Sequence, residues 1–139
     1  MTVRVDFHGL QGRWMEQPLR YVCALTHKAW KQGMRVQILL QDADLLERLD
    51  RQLWTFRPDS FLAHDRSGSA PIHLGVEPLE GYDFSMQLFG RDCLPATLSP
   101  RLAEVFRNRP EEVQAARARY RRYRDAGCLM HYHRVGGNA

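Results

Sequence analysis

The sequence predicts a three-layer α/β/α domain with a mainly parallel sheet, and three observations support that prediction. A strand pattern at residues 3–7, in which apolar and polar residues alternate, is followed by a helical pattern at residues 18–32. A continuous apolar run at residues 36–40 comes next, which is typical of a strand buried on both faces of a parallel sheet. A second helical pattern then follows. Because strands and helices alternate in this order, helices are expected on both faces of the sheet.

The first strand and the first helix are separated by a predicted loop at residues 8–12, which contains two glycines. Pro18 suits the first turn of a helix, where its missing N–H costs nothing, and Gly33 suits the position after the last turn. The helix is therefore predicted over residues 18–32. Its inward side is predicted from residues that recur at three- and four-residue steps: Leu19, Val22, Cys23, Thr26, Ala29 and Trp30.

The second helix directly follows the strand at residues 36–40. Asp42 is predicted to cap it, and the helix is predicted to end near Trp54. Four leucines are expected to face the core: Leu45, Leu46, Leu49 and Leu53. Farther along, residues 72–76 and residues 82–89 predict the third and fourth strands of the sheet.

The last part of the chain is less regular in its pattern. Residues 94–101 stay open, with one short helix as an alternative, because Pro95 and Pro100 interrupt them. Residues 102–106 are apolar enough for a fifth strand. Residues 128–139 are expected either to continue as an extended segment or to fray as a tail. The whole chain, residues 1–139, is predicted to form one domain.

The clearest helix is predicted over residues 110–126. Pro110 suits the first helical turn, and Glu111 and Glu112 lie where the helix dipole favours anions. Gly127 can take the left-handed position that ends a helix. One stripe of this helix is expected to face inward: Val113, Ala116, Tyr120 and Tyr123.

This helix is unusually rich in arginine. Arg117, Arg121 and Arg124 are predicted to line one flank of its inward stripe, whereas Arg119 and Arg122 are expected to be ordinary solvated residues. Arginines at this spacing repel one another by a few tenths of a kcal/mol per pair. The row is therefore mildly unfavourable unless an anion completes it. A solvated charged face is the alternative interpretation.

The positive charge of the chain is local. The net charge is +4, but residues 101–124 contain eight Arg and three Glu, a net of +5, which leaves −1 for the remainder. This distribution favours one anion-accepting site over general adhesion to nucleic acid. Three widely spaced cysteines, with no signal peptide and no membrane-spanning stretch, predict a cytoplasmic protein.

No motif of catalysis or cofactor binding is assembled in the sequence. Neither a G-x-G-x-x-G string nor a G-x-x-x-x-G-K-[ST] string occurs, and there is no G-x-S-x-G elbow. Cys128, His131 and His133 are residue types that bind zinc, but a closed site needs four ligands and no second pair lies near them in the sequence. Cys93 lies beside Asp92 and is more typical of a structural thiol. We therefore expect no cofactor, no metal and no catalytic residue.

Three stretches together resemble a known family, the chi subunits of bacterial DNA polymerase III holoenzymes. They are Leu53-Trp54, residues 60–64 (SFLAH) and residues 119–127 (RYRRYRDAG), the last of which is similar to an R-Y-K-x-Y-R-x-A-G pattern of that family. Weaker likeness covers residues 24–40 and residues 83–106. The order and spacing of these stretches carry the resemblance.

The resemblance implies a Rossmann-like fold without nucleotide binding or catalysis, and an adaptor function in DNA replication. Chi proteins join the psi subunit of the clamp loader to the acidic C-terminal tail of single-stranded DNA-binding protein (SSB). By resemblance, the SSB-tail site would fall on Arg117, Tyr120 and Arg121, with Phe106 as an apolar wall. Arg124 is expected to add charge beside it.

The resemblance also implies a second partner surface. Trp54 and Phe61 match the aromatic positions that the family uses for psi or for a helicase. Two departures concern the tail site: Val113 stands where a lysine is expected, and Arg121 replaces a lysine while keeping the charge.

The residues leave two other functions open. Arginine and tyrosine on one helix can pair with phosphates and stack on bases, so direct binding of single-stranded nucleic acid is one alternative. A small hydrolase or redox enzyme on the same fold is the other, and the absence of an assembled motif argues against it.

Overall fold

The computed structural model describes residues 2–57, 62–67, 70–89 and 99–136. In this part of the chain, seven strands form one sheet in the order β3-β4-β2-β5-β6-β1-β7, and all of the pairs are parallel. The strands are β1 Arg4–Leu10, β2 Val36–Leu39, β3 His64–Asp65, β4 Ile72–Gly75, β5 Phe84–Leu88, β6 Arg101–Arg107 and β7 Leu129–Val135. The helices are α1 Pro18–Lys31, α2 Ala43–Thr55 and α3 Pro110–Asp125, with a short 3₁₀ turn at Gly12–Met15.

Helices cover both faces of the sheet, as the sequence predicts. Helices α1 and α2 contact each other and pack on one face, where their leucines meet the inward side chains of β2, β4 and β5. Helix α3 packs on the other face against β1, β6 and β7. The three-layer α/β/α prediction is therefore confirmed.

Strand β1 is longer than predicted. Residues 8–10, expected to begin a loop, continue the strand to Leu10. They pair with β6 on one side and with β7 on the other, so β1 is the central strand of these three along its whole length. The prediction was wrong because both faces of the strand are buried from Val5 onward, so the alternation of apolar and polar residues does not mark where the strand ends.

The helix signals in the sequence are confirmed. The Asp42 carboxylate accepts hydrogen bonds from the N–H groups of Asp44 and Leu45, at 3.0 and 3.1 Å, and so caps α2. Pro110 opens α3 with both glutamates in its first turn, and Gly127 follows α3 with a φ of +89°. The predicted inward stripe of α3 is also correct, because Ala116 and Tyr123 are buried in the hydrophobic cluster between α3 and the sheet.

The C-terminal segment is an ordered edge strand over the residues that the structure describes, up to 136. Strand β7 pairs in parallel with all seven residues of β1. The extended alternative is therefore correct and the frayed tail is wrong over β7. The two-residue strand β3 was not predicted, and most of the open segment, residues 94–98, lies outside the described residues.

Arg119 is not the solvated residue that the helical pattern suggested. It is 4% exposed, and its Nε donates to a carboxylate oxygen of Glu104 at 2.9 Å. Glu104 also accepts hydrogen bonds from Tyr123 and Gln87, at 2.8 and 2.6 Å. The helical pattern shows which side of α3 Arg119 is on, but it does not show that β6 places a carboxylate beneath that side. Arg122 is exposed, as expected.

None of the described helices is both long and apolar enough to cross a lipid bilayer.

Candidate functional site

A cleft of about 560 Å³ lies between α3 and the edge strand β7, at the carboxyl ends of β1 and β6. We call it the α3–β7 cleft. Open parallel sheets characteristically bind ligands outside the carboxyl ends of their strands, so its position is typical of a binding site. Its lining residues are Phe7, Gly9, Leu10, Gln11, Phe106, Asn108, Val113, Ala116, Arg117, Tyr120, Arg121, Tyr132 and Arg134.

Helix α3 supplies one wall of this cleft. Arg117, Tyr120 and Arg121 lie on neighbouring positions of the helix surface, because residues three and four apart share a face. The two arginines are exposed, and neither has an ion-pair partner among the described residues. Their guanidinium groups are therefore available to an external anion. Val113, which stands where the family resemblance implies a lysine, also lines the cleft and makes that end apolar.

The floor of the cleft is aromatic. The ring of Phe7 lies 5.3 Å from that of Tyr120 and 6.4 Å from that of Phe106, and the ring of Phe106 lies 6.5 Å from that of Tyr132. These centroid distances are typical of packed aromatic pairs. Phe106 is only 6% exposed, because the surrounding rings leave only a little of its surface to the cleft. Tyr120 is half-buried.

Gly9 lets the rings of Tyr132 and Phe106 pack directly against the backbone of β1 in the cleft. A Cβ atom at this position would lie 2.8 Å from the Tyr132 hydroxyl oxygen and 3.1 Å from Cζ of Phe106. Both distances are shorter than ordinary van der Waals contact, so a side chain here would have to displace one ring or the other. A glycine in a strand interior commonly marks a place where another group approaches closely.

The cleft contains two residues of β7 that the sequence analysis missed. Tyr132 is 53% exposed and Arg134 is exposed, and both line the cleft opposite α3. The signal was present, because residues 130, 132 and 134 alternate with the two histidines and so face α3 once the segment is a strand. The two histidines lie on the opposite face of β7, and only these histidines and Cys128 were considered as possible ligand-binding residues of this segment.

Arg124 lies apart from the other predicted residues. It does not line the cleft, and its guanidinium donates to the carboxylate of Asp125 with two 3.3 Å hydrogen bonds. Of the predicted tail-site residues, the structure brings together Arg117, Tyr120 and Arg121 with Phe106, and leaves Arg124 one turn farther along α3.

Trp54 lies on a different part of the surface. It is 51% exposed near the end of α2, and its ring centroid lies 4.4 Å from that of His64 in β3. His64 is held in place by a 2.6 Å hydrogen bond to Asp50 and a 2.7 Å hydrogen bond to the carbonyl oxygen of Leu62. Phe61, the second predicted aromatic residue, lies outside the described residues.

The residues considered for metal binding or nucleophilic catalysis have other roles where the structure describes them. His133 bonds to Asp6 at 2.8 Å, and no group of three or more His, Cys, Asp or Glu in the described ranges could hold a metal. Burial raises the pKa of the Cys23 thiol to about 12 and also raises the pKa of Cys128, so neither thiol is activated. Cys93 lies outside the described residues.

Comparison with known proteins agrees with the resemblance in the sequence. The family model described as DNA polymerase III chi subunit, HolC, matches residues 1–131. A protein of Pseudomonas aeruginosa named DNA polymerase III subunit chi is 32% identical over 139 residues, which cover 95% of this chain and 96% of that protein. A protein of Escherichia coli with the same name is 33% identical over 116 residues, which cover 76% and 78% of the two chains. The chain therefore belongs to the DNA polymerase III chi subunit family.

Proposed function

We propose that this chi-family protein is a non-catalytic adaptor of the bacterial replisome, working in the cytoplasm, and that its α3–β7 cleft binds the acidic C-terminal tail of SSB. The observation that carries the proposal is the composition of the cleft. Three arginines border an aromatic floor, and no carboxylate lines the cleft among the described residues. A site of this kind suits an anion attached to an apolar group.

The end of an acidic peptide supplies both features. Its terminal carboxylate can accept paired hydrogen bonds from the guanidinium forks of Arg117 and Arg121, which have no competing ion pair in the described chain. Its last side chain, if apolar, can pack against the aromatic side chains of the cleft, Phe106, Tyr120 and Tyr132. Aspartates upstream of that residue would then lie within reach of Arg134 on one side or of Arg124 on the other.

We expect this binding to be weak and sensitive to salt. The cleft accommodates only a few residues of peptide, which favours a dissociation constant on the order of micromolar. The arginines lie at the surface, so salt screens much of their attraction. Such an interaction suits a partner that must release and rebind as replication proceeds.

The second partner surface is proposed to lie around Trp54, where the psi subunit, or a helicase in its place, would dock. An exposed tryptophan held against an ordered neighbour is a typical anchor of a protein interface. Trp54 packs on β3 and Tyr132 belongs to β7, and these two strands are the opposite edges of the sheet. Partners at the two sites could therefore bind the same molecule at once, as an adaptor requires.

Isothermal titration calorimetry with a peptide ending Asp-Asp-Ile-Pro-Phe tests the tail site. Arg117→Ala and Arg121→Ala are each expected to weaken binding about tenfold, because each removes a charge-assisted pair of hydrogen bonds. Arg122→Ala is the matched control, since Arg122 is exposed on the same helix but does not line the cleft. No heat of binding at low salt, or equal losses in all three variants, would refute the proposed tail site.

Co-purification with psi tests the second surface and its independence from the first. Trp54→Ala is expected to lose psi while keeping its affinity for the tail peptide, and Arg121→Ala is expected to do the reverse. If Trp54→Ala retains psi fully, the proposed psi surface is wrong whatever the result with the peptide.

Direct binding of single-stranded nucleic acid by α3 is the alternative function. Fluorescence anisotropy with a labelled oligonucleotide in the absence of SSB distinguishes direct binding of nucleic acid from binding of the SSB tail. Tight binding that Arg117→Ala and Arg121→Ala abolish would favour nucleic acid as the ligand of the α3–β7 cleft.

A further inference from the structure

A second cleft, of about 610 Å³, lies on the opposite face of the sheet. Its walls are the later turns of α1 and the face of β1 and β7 that points away from α3, and its lining includes the first residue of β6. We call it the α1–β1 cleft. Its lining residues are Arg4, Asp6, His8, Tyr21, Ala24, Leu25, Lys28, Ala29, Gln32, Met34, Phe84, Arg101, His133, Arg134 and Val135.

The charges of this cleft are strongly biased. Four basic side chains line it, Arg4, Lys28, Arg101 and Arg134, against the single carboxylate of Asp6 among the described residues. Among these arginine, lysine and aspartate side chains, four positive charges and one negative charge leave an excess of three positive charges. These groups come from α1, β1, β6 and β7, so the bias results from how the fold assembles them and not from one charged stretch of sequence.

The one carboxylate is already fully occupied by protein groups. Asp6 accepts hydrogen bonds from Arg4 at 3.1 Å, from Arg101 at 3.4 Å and from His133 at 2.8 Å, and its side chain is 3% exposed. These hydrogen bonds hold the guanidinium groups of Arg4 and Arg101 in place, which reduces the cost of ordering them on a ligand. The four basic side chains outnumber the single Asp6 carboxylate, so a second anion could bind in the cleft while Asp6 keeps its partners.

Donor groups remain in the cleft after these bonds are made. Nε of Arg101 is buried and has no hydrogen-bond partner among the described residues. Lys28 is exposed on α1 and has no ion pair in that part of the chain. Both are donor-only cationic groups, and a buried donor without a partner is costly. A ligand that brings several acceptor oxygens would satisfy them.

We propose that the α1–β1 cleft binds a nucleotide phosphate, either of a free nucleotide or of a single strand. A phosphate carries negative charge and several acceptor oxygens, which complement Arg4, Arg101 and Lys28. The planar guanidinium group of arginine also matches phosphate geometry. Behind the charged rim lie the apolar side chains of Leu25, Met34 and Phe84, against which a sugar or base can pack. The size of the cleft is within the usual range for a small-molecule site.

This site is separate from the proposed peptide site. The two clefts lie on opposite faces of β1 and β7, and of their lining residues they share only Arg134, at the edge of the sheet. Lys28 therefore reports on the α1–β1 cleft alone, and Arg121 reports on the α3–β7 cleft alone.

NMR titration of the ¹⁵N-labelled full chain at low salt tests the inference, with thymidine 5′-monophosphate, thymidine and an oligothymidylate without terminal phosphates as probes. The monophosphate is expected to shift amide resonances of α1 and of the first half of β1, whereas thymidine is not. Lys28→Ala is expected to weaken that binding about fivefold, by loss of one charged contact. Lys31→Ala is the matched control, since Lys31 is exposed in the same turn but outside the cleft.

The oligonucleotide identifies the source of the phosphate. Shifts of the same resonances by the oligothymidylate assign the site to a single-strand backbone, and shifts by the monophosphate alone assign it to a free nucleotide. The inference is overturned if neither phosphate probe shifts these resonances, if Lys31→Ala weakens binding as much as Lys28→Ala, or if the shifts fall on α3 instead.

Discussion

Gly9 lets two aromatic rings of the α3–β7 cleft pack against strand β1. Gly9→Ala places a methyl group 2.8 Å from the Tyr132 hydroxyl oxygen and 3.1 Å from Cζ of Phe106, so it displaces one of the rings against which the last side chain of a bound peptide is proposed to pack. We expect the affinity for the tail peptide to fall about tenfold or more, since even one methyl group in a packed site costs on the order of 1 kcal/mol or more. Calorimetry gives the affinity, and thermal unfolding verifies that the variant is folded.

A double variant provides the control for this prediction. The tightest contact of the new methyl group is with the hydroxyl oxygen of Tyr132, so Gly9→Ala combined with Tyr132→Phe removes that contact. The double variant is expected to recover part of the lost affinity. If Gly9→Ala binds the peptide as well as the unmodified protein does, the apolar end of the peptide does not pack against Tyr132 and Phe106.

His8 makes the stability of the protein sensitive to mild acid. Burial, with the charge of the neighbouring His133, lowers the pKa of His8 from 6.5 to about 4, and its Nδ1 lies 2.6 Å from the hydroxyl of Tyr21. Because its pKa is lower in the folded state, the unfolded chain binds the proton first as the pH falls. Stability attributable to His8 is therefore complete above pH 6.5 and is lost as the pH falls toward 4, by up to about 3 kcal/mol.

Urea unfolding at pH values from about 7.5 to about 4 measures this loss, because that range spans the pKa of His8 in the unfolded and in the folded chain. His8→Gln is expected to flatten the pH dependence over this range. Asp6 does not confuse the result, because its pKa is lowered from 3.8 to about 2, although burial alone would raise it, through hydrogen bonds from Arg4, His133 and Arg101. Its contribution is lost only as the pH falls below about 4. An unchanged slope in His8→Gln would contradict the assignment.

Helix α3 carries arginines of two kinds. Arg117 and Arg121 face the cleft and solvent, whereas Arg119 reaches back to Glu104 in the buried layer between α3 and the sheet. The helical repeat predicted the inward stripe and the arginine flank correctly, because both depend only on spacing along one element. The ion pair with Glu104 depends on the register of β6 beneath α3, and no pattern within the helix contains that information.

Arg119→Ala is expected to destabilise the protein strongly. Removing this guanidinium leaves the Glu104 carboxylate buried without its charged partner, which typically costs about 3–5 kcal/mol. Arg117→Ala, two positions away on the solvent side, is expected to change the free energy of unfolding by less than about 0.5 kcal/mol. Urea denaturation of the two variants makes the comparison. Similar stabilities would mean that the buried pair contributes little.

The extended structure of β7 was predictable from the sequence, but its contribution to the α3–β7 cleft was not. The sequence analysis left residues 128–139 open between an extended segment and a frayed tail, and assigned nothing to Tyr132 or Arg134. Period-2 alternation places these two side chains on the face toward α3, but only the pairing of β7 with β1 brings them to the cleft. Half of the candidate site was therefore predictable from α3 alone, and the other half required the sheet order.

The proposed partner sites lie at opposite edges of the sheet. The sheet separates Trp54, near the β3 edge, from the α3–β7 cleft at the β7 edge, with the α1–β1 cleft on the opposite face. The fold class was predictable because the alternation of strands and helices determines it. Which residues meet in the α3–β7 cleft was not predictable, since Gly9, Phe106 and Tyr132 come from three strands that are distant in the sequence.

The central claim is that the α3–β7 cleft binds the end of an acidic peptide, and NMR mapping with the ¹⁵N-labelled chain tests it most directly. Addition of the peptide ending Asp-Asp-Ile-Pro-Phe is expected to shift the amide resonances of Gly9, Phe106, Arg121 and Tyr132, and to leave those of α2 unchanged. Binding that shifts resonances near Trp54 or Lys28 but not those of the cleft would contradict the claim.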